Sequence, residues 1–353
     1  MKNVLLKKTG MVLLSCAALA ALASCSKKEE AKADEQELVV LSWGDALEDA
    51  EREAIFKPFE QQYHVRIREA SPPDYGKIKA MIDEGKPEYD VMNVDADFVP
   101  RAIRQNLLEK LDFSVIDSTD LDPETVTPYS VGAEIFGNNI TYNTKVFSEA
   151  NHPHTWAEFW DLKKFPGGRT FQKRPTPLLE MALLADGVPL DSVYPIDVDR
   201  AFKSLDKIKP YVKTWWETGA QSVQLLTDNE VPLGMLWSGR VLTAQSQNMP
   251  VALEKNQCVL ALDSWVIPRG TKKKDLAMKF IAFATSAKVD AAYATAYPYA
   301  PINLKSYDLL SDSAKEKLTT NPQVRKTQLM TNVNWWVDNF DAVNDRFQKW
   351  LLE

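Results

Sequence analysis

Cysteine is scarce in this chain, with three in 353 residues. Cys16 and Cys25 both lie near the start, so Cys258 stands alone in the body of the chain. A single thiol closes no internal disulfide, and the fold must be held by burial. Histidine is equally rare, at three. His152 and His154 flank Pro153 in a loop; two imidazoles can touch one metal, but no Cys, Asp or Glu at ligand spacing accompanies them. No metal and no cofactor are assigned. Concentrated basic charge is also missing: 42 basic and 49 acidic residues are mixed along the chain, for a net charge of −7. The one basic run, Lys272-Lys273-Lys274, reads as a solvated helix entry, so there is no footprint for nucleic acid. The chain has no Gly-x-Ser-x-Gly elbow, phosphate-cradling loop or dinucleotide fingerprint. Paired carboxylates can converge from anywhere in a sequence, so an exported α/β hydrolase stays as an alternative.

The N-terminus supplies the first positive signal. Lys2, Lys7 and Lys8 precede an apolar stretch over 11–23, too short for a membrane span of about 20 residues. It ends in Leu22-Ala23-Ser24-Cys25, which resembles the bacterial lipobox. Residues 1–24 are therefore expected to be a lipoprotein signal peptide, with Cys25 acylated as the anchor. The polar run that follows makes 25–37 a flexible tether, and Ser26 resembles the sorting habit of outer-membrane lipoproteins. No second long apolar run exists, so the protein is expected to be anchored outside the cytoplasm without spanning.

The remaining residues suffice for two domains with proper cores. An apolar β-branched run at 37–42 reads as a buried strand, with Trp43-Gly44-Asp45 as its terminating loop. A helix over 50–62, a strand at 64–69, a helix over 74–84, a strand at 89–94 and a helix over 96–105 follow. This alternation predicts βαβ units and a mostly parallel sheet. The rhythm then changes. Residues 129–143 read as two strand-like pieces separated by glycines and asparagines. Further strands are expected at 167–171, 211–215 and 231–237, and helices over 177–184, 198–208 and 274–286 and at the C-terminus. The pattern predicts two α/β lobes, the chain crossing near Tyr142 and returning near Asp263.

Aromatic residues stand where such folds bind ligands. In open α/β sheets the crevice lies outside the carboxyl ends of the strands. Trp43 and Trp237 both sit at strand ends, whereas Trp215, Trp216 and Trp265 are expected in the core. A tryptophan wall beside a carboxylate is a good receptor for an ammonium group, because ring quadrupole and ion pair act together.

Several short motifs then occur in order: Leu41-Ser42-Trp43, Tyr89-Asp90-Val91, Tyr142-Asn143, Thr155-Trp156-Ala157-Glu158-Phe159-Trp160-Asp161, Gly234-Met235-Leu236-Trp237-Ser238-Gly239, Asp263-Ser264-Trp265 and the Tyr-Pro-x-x-Pro-x-Asn of 297–303. With these the chain, over 38–310, resembles the periplasmic solute-binding proteins of ABC importers, in particular their spermidine/putrescine-binding group. The resemblance implies a type II-like fold of two α/β lobes joined by crossing strands, 38–142 with 264–310 and 143–263, with 311–353 as C-terminal helices packed on them. It implies Trp43 and Trp237 as ring walls, Asp263 as an amine-binding carboxylate, Tyr299 near a family tyrosine, and Asp95 and Asp97 in the ligand-facing loop. It further implies a monomer that captures a small amine-bearing solute and passes it to a permease and its ATPase. A surface lipoprotein that senses without transporting is the other alternative.

Two departures bear on the solute. Where polyamine binders place an acidic pair, this chain has Phe171-Gln172-Lys173-Arg174-Pro175, and the aromatic expected two residues before the cleft aspartate is Ala261. If Arg174 faces the cleft, like charge disfavours a polycation, and its guanidinium is expected to grip the anionic end of a zwitterion such as an ω-amino acid, with Asp263 taking the amine. If it faces solvent, a polyamine stays open. Arg240 raises the same question.

Overall fold

The computed structural model describes residues 36–321 and 324–353; the expected signal peptide, Cys25 and most of the tether lie outside them. Among the described residues, eleven strands form one hydrogen-bonded sheet. They are β1 (Gln36–Leu41), β2 (Val65–Ala70), β3 (Val91–Asp95), β4 (Val126–Thr127), β5 (Ser130–Asn143), β6 (Arg169–Gln172), β7 (Val212–Trp216), β8 (Leu233–Trp237), β9 (Val251–Leu253), β10 (Val259–Val266) and β11 (Leu329–Met330). Their order along the main path is β2-β1-β3-β10-β5-β8-β6-β7. The triplets at its two ends, β2-β1-β3 and β8-β6-β7, are parallel, and β10 and β5 join them by antiparallel pairing. This is the expected mixed α/β architecture of two mostly parallel halves linked by crossing strands.

Each half has its own core. In the first, Leu38, Val40, Phe56, Phe59, Trp265 and Phe280 pack on one face of the sheet and Val39, Leu41, Met92 and Phe98 on the other. Burial on both faces is why β1 reads as a continuous apolar run rather than an alternation. The second half is built on Trp156, Phe159, Phe171, Leu179 and Trp216. Trp216 and Trp265 are therefore core residues, as expected, and Trp215 packs edge-on against Phe347 and Trp350.

Three elements differ from the sequence reading. Residues 130–143 form one strand, buried throughout. Gly137 and the asparagines imply turns, but here they serve the interior. A Cβ at Gly137 would lie 2.3 Å from Thr319 Cγ2. The Asn138, Asn139 and Asn143 amides donate sideways to the Val259, Glu254 and Leu226 carbonyls. Strand β10, not anticipated as a strand, lies between β3 and β5. The helix expected over 50–62 runs from Asp45 to Tyr63, with a π-helical turn at Arg52–Phe56.

The C-terminal helix Val333–Leu352 is capped by the Asn332 side chain, which accepts from the Trp335 N–H, and buries Trp336, Val343, Phe347 and Trp350 as one stripe on the second core. It also reaches the first half through Arg104–Asp338 at 2.5 Å. Among the described residues, no helix is long and apolar enough to cross a membrane.

Candidate functional site

The parallel strands of both halves direct their carboxyl ends at one crevice. Trp43 follows β1, Asp95 ends β3 with Asp97 in the next turn, Gln172 ends β6 with Arg174 just beyond, and Trp237 ends β8. Asp263 lies inside β10, paired in register with Asp95 of β3 on one side and Glu134 of β5 on the other. Two cavities open here. One, of about 440 Å³, is lined by Trp43, Asp95, Phe136, Arg174, Trp237, Arg240, Asp263 and Tyr299 among others. A second, of about 430 Å³, is lined by Asp95, Asp97, Asn138, Arg174, Trp237 and Asn332 among others. Arg174 belongs to both and stands between them. Of the seven residues singled out in sequence, six line the first cavity; Asp97 lines the second.

Arg174 faces the crevice. Its guanidinium binds Asp95 Oδ2 at 3.1 Å and Asp97 Oδ2 at 2.5 Å, reaching from the second half to the first. Tyr75, stacked on Phe98 at 4.2 Å, donates its hydroxyl to the same Asp95 oxygen at 2.7 Å. The neighbouring Lys173 turns outward to Glu217, at 2.9 Å. Burial opposes the charge on Arg174, but Asp95 and Asp97 outweigh it and raise its pKa. Asp95 and Asp97 are thus already engaged by a cation. Arg240 also reaches across, but its carboxylate partner Asp45 is 3.4 Å away and 65% exposed, while Arg240 itself is only 12% exposed.

Asp263 contrasts with both. It is 4% exposed, and its Oδ1 has no hydrogen-bond partner among the described residues. Burial first, then the neighbouring Glu134 and Asp95 charges, push its pKa well above the usual carboxylate range. Behind it, Asn93 Nδ2 donates to Glu51 Oε1 at 3.2 Å and to Glu134 Oε1 at 3.3 Å. Burial raises Glu134 to about 8, and burial with the Glu134 charge raises Glu51. An acidic row without a matching cation holds protons until a positive group arrives.

Aromatic rings complete the walls. Trp237 stands edge-on to Trp216 at 5.1 Å and to Phe136 at 6.4 Å, and Phe136 stacks on Tyr299 at 5.3 Å. The departure at Ala261 finds its physical answer here. Phe136 is the register partner of Ala261 across β5 and β10, so the opposite strand supplies the missing ring. Sequence reasoning passed over Phe136, Tyr75, Glu134 and Glu51, because no local pattern marks a residue whose role depends on cross-strand register. A further correction concerns His152 and His154. An acid does accompany them, since Glu254, 102 residues beyond His152, reaches both rings.

The raised acids carry a pH signature. Glu134 at about 8, with Glu180 and Asp290 each at about 7, hold protons in the folded chain that the unfolded chain, near 4.5 or 3.8, has released. Their contribution to stability is full below the unfolded values and is lost as pH rises through the folded ones. The ligand-free protein should therefore melt at lower temperature at about pH 8 than at about pH 6, and Glu134→Gln should flatten that slope. Scanning calorimetry across the range decides it; a melting temperature that rises towards pH 8 contradicts the assignment.

Comparison with known proteins agrees with this construction. Residues 54–326 match the family model described as bacterial extracellular solute-binding protein. The chain is 32% identical to the gamma-aminobutyric acid-binding protein of Pseudomonas aeruginosa, over 91% of this chain and 92% of that one. It is 24% identical to the spermidine/putrescine-binding periplasmic protein of Escherichia coli, over 94% of each. Among solved structures, the Atu4243-GABA receptor aligns with a TM-score of 0.82 at 42% identity, over 90% of this chain and 98% of that one. An ABC transporter substrate-binding protein from Bradyrhizobium japonicum aligns at 0.86 and 34%, over 90% and 100%. With the family model matched over most of the chain and a relative above 30% identity covered almost end to end, the chain belongs to the bacterial extracellular solute-binding protein family.

Proposed function

We propose that this chain captures a small zwitterion, an ω-amino acid of about the length of 4-aminobutyrate, and delivers it to the permease and ATPase of an ABC importer. One observation carries the choice: a single cavity holds, among aromatic walls, the Asp263 carboxylate with its Oδ1 free of a partner among the described residues, and also the half-used guanidinium of Arg240. Asp263, flanked by Trp43, Trp237 and Tyr299, takes the ammonium. Arg240 takes the carboxylate, leaving its long contact to exposed Asp45 for a closer one. Arg174 then acts as a cross-cleft clamp on Asp95 and Asp97 rather than as the solute's partner. Relatives named for gamma-aminobutyric acid support this reading. The polyamine alternative draws on the acidic row, but two arginines in the wall oppose a second ammonium.

In this reading residues 38–142 with 264–310 form one lobe and 143–263 the other, 311–353 pack on them, and the solute stabilises the closed arrangement in which the arginines reach across. The working form is a monomer outside the cytoplasm, tethered by an acylated Cys25. Detergent phase partition of the full chain made in bacteria tests the anchor, which fails if the protein stays in the aqueous phase. For the solute, calorimetry with 4-aminobutyrate, putrescine and spermidine should show tightest binding to the first. Arg240→Gln should weaken 4-aminobutyrate by roughly 10- to 100-fold, the worth of a charge-assisted contact, and leave putrescine unchanged or improved. Tighter binding of putrescine by the parent protein overturns the assignment.

A further inference from the structure

Away from both cavities, three side chains converge at the segment where the chain leaves β5. His152 and His154 lie in the loop before the helix Trp156–Trp160, and Glu254 directly follows β9, whose partner is the end of β5. Their ligand atoms all lie within 4.8 Å of one another. Glu254 Oε2 is 3.1 Å from His152 Nε2 and 2.6 Å from His154 Nδ1. The supports are fixed. Glu254 N–H donates to the Ile140 carbonyl at 2.8 Å, Glu254 Oε1 accepts the Asn256 N–H at 2.8 Å, and the His152 ring stacks on Tyr142 at 4.1 Å.

The hydrogen-bond count around His152 does not close with a neutral ring. Its Nδ1 faces the Ser148 carbonyl at 3.1 Å and its Nε2 faces the Glu254 carboxylate. Both neighbours only accept, and a neutral imidazole has one N–H to give. With the proton on Nδ1, as the carbonyl requires, the Nε2 lone pair points at carboxylate oxygen inside a ring that is 4% exposed. A cation between them removes the conflict. An imidazole that donates Nδ1–H to a carbonyl and offers Nε2 inward is the usual posture of a metal-bound histidine. His154, which is exposed, can withdraw by the roughly 0.8 Å that tetrahedral ligand bonds of about 2.0–2.2 Å require.

We propose that His152, His154 and Glu254 bind a divalent first-row metal ion, with Zn²⁺ the best match to two imidazoles and one carboxylate, and a water in the remaining position. The site lies outside the solute cavities and ties the loop after β5 to the segment entering β10.

Calorimetric titration of the untagged, chelator-stripped chain with Zn²⁺ should show one ion bound per chain. His154→Ala and Glu254→Gln should each weaken that binding at least tenfold, with 4-aminobutyrate affinity unchanged. Co²⁺ should give the intense visible absorption of a four-coordinate site in the parent and not in His154→Ala. Because His154 is exposed, that variant should keep its fold, which its chelated melting temperature checks. Failure of Zn²⁺ to bind, or binding that survives both substitutions, overturns the proposal.

Discussion

Asp263→Asn should abolish solute capture without weakening the ligand-free fold. Among the described residues, the carboxylate is the deeply buried acid of this cavity wall that forms no salt bridge: Asp95 and Asp97 bind Arg174, and Asp45 is exposed. Removing one partner of a desolvated charge pair costs about 2–5 kcal/mol, on the order of 30-fold to several thousand-fold in affinity. The other ring and carboxylate contacts of the solute cannot replace it, because aromatic faces attract an ammonium by only about 1–2 kcal/mol. The unliganded protein should respond in the opposite sense. Asp263 lies in register between Asp95 and Glu134 and burial already favours its neutral form there, so a neutral amide of the same shape brings no new charge into the sheet. Its melting temperature should stay level or rise. Calorimetry for binding and thermal unfolding for stability separate the two effects. If Asp263→Asn binds 4-aminobutyrate like the parent, the solute's ammonium lies elsewhere; if it simply unfolds, the carboxylate is structural.

Trp336→Ala should be the most damaging single change to the fold. Trp336 is fully buried in the second core, and its indole N–H donates to Glu180 Oε1 at 2.6 Å. The Tyr194 hydroxyl donates to the same oxygen at 2.5 Å. Glu180 forms no salt bridge among the described residues; burial raises it to about 7, and these two donors, with the more distant Arg174 charge, limit the rise. Truncation to alanine leaves a cavity, at about 3–5 kcal/mol, and strips the acid of one donor. A loss of that size lowers the melting temperature on the order of 10 °C in a chain of this length. Trp336→Phe keeps most of the volume and loses only the N–H, so it should fall between parent and alanine. If the two variants melt together, the hydrogen bond to Glu180 and not the packing holds the C-terminal helix.

Several of these features were legible in the residues. Strand β1 declared itself by an unbroken Leu38-Val39-Val40-Leu41, because a strand covered on both faces has no polar face to alternate with. Trp43 and Trp237 were placed by a rule of topology, that parallel strands present their carboxyl ends to one crevice. The acids behind Asp263 left no such mark. Glu134 sits among glycine, alanine and isoleucine, and nothing near it distinguishes a buried carboxylate from a surface one. Its role comes from β10, which reaches it only in three dimensions. Strand β5 misled for a related reason. Asn138, Asn139 and Gly137 carry turn chemistry, and only the packed interior shows that their amides are spent on neighbouring carbonyls. Arg174 was ambiguous because direction, not identity, decides its effect; Lys173 beside it points the other way.

The placement of β10 also bears on time. This strand lies between β3 and β5, yet it is synthesised after every strand of the second half's parallel triplet. Until it emerges, β3 has an unfilled edge where its central neighbour belongs, and the first half cannot close. Joining segments so distant along the chain demands closure of a long loop before any pairing rewards it, which slows folding. At a translation rate of about 5–20 residues per second, the nascent polypeptide spends many seconds without its middle strand. A protein that works outside the cytoplasm gains from that delay, because a chain still extended can be threaded through a membrane pore and a finished one cannot.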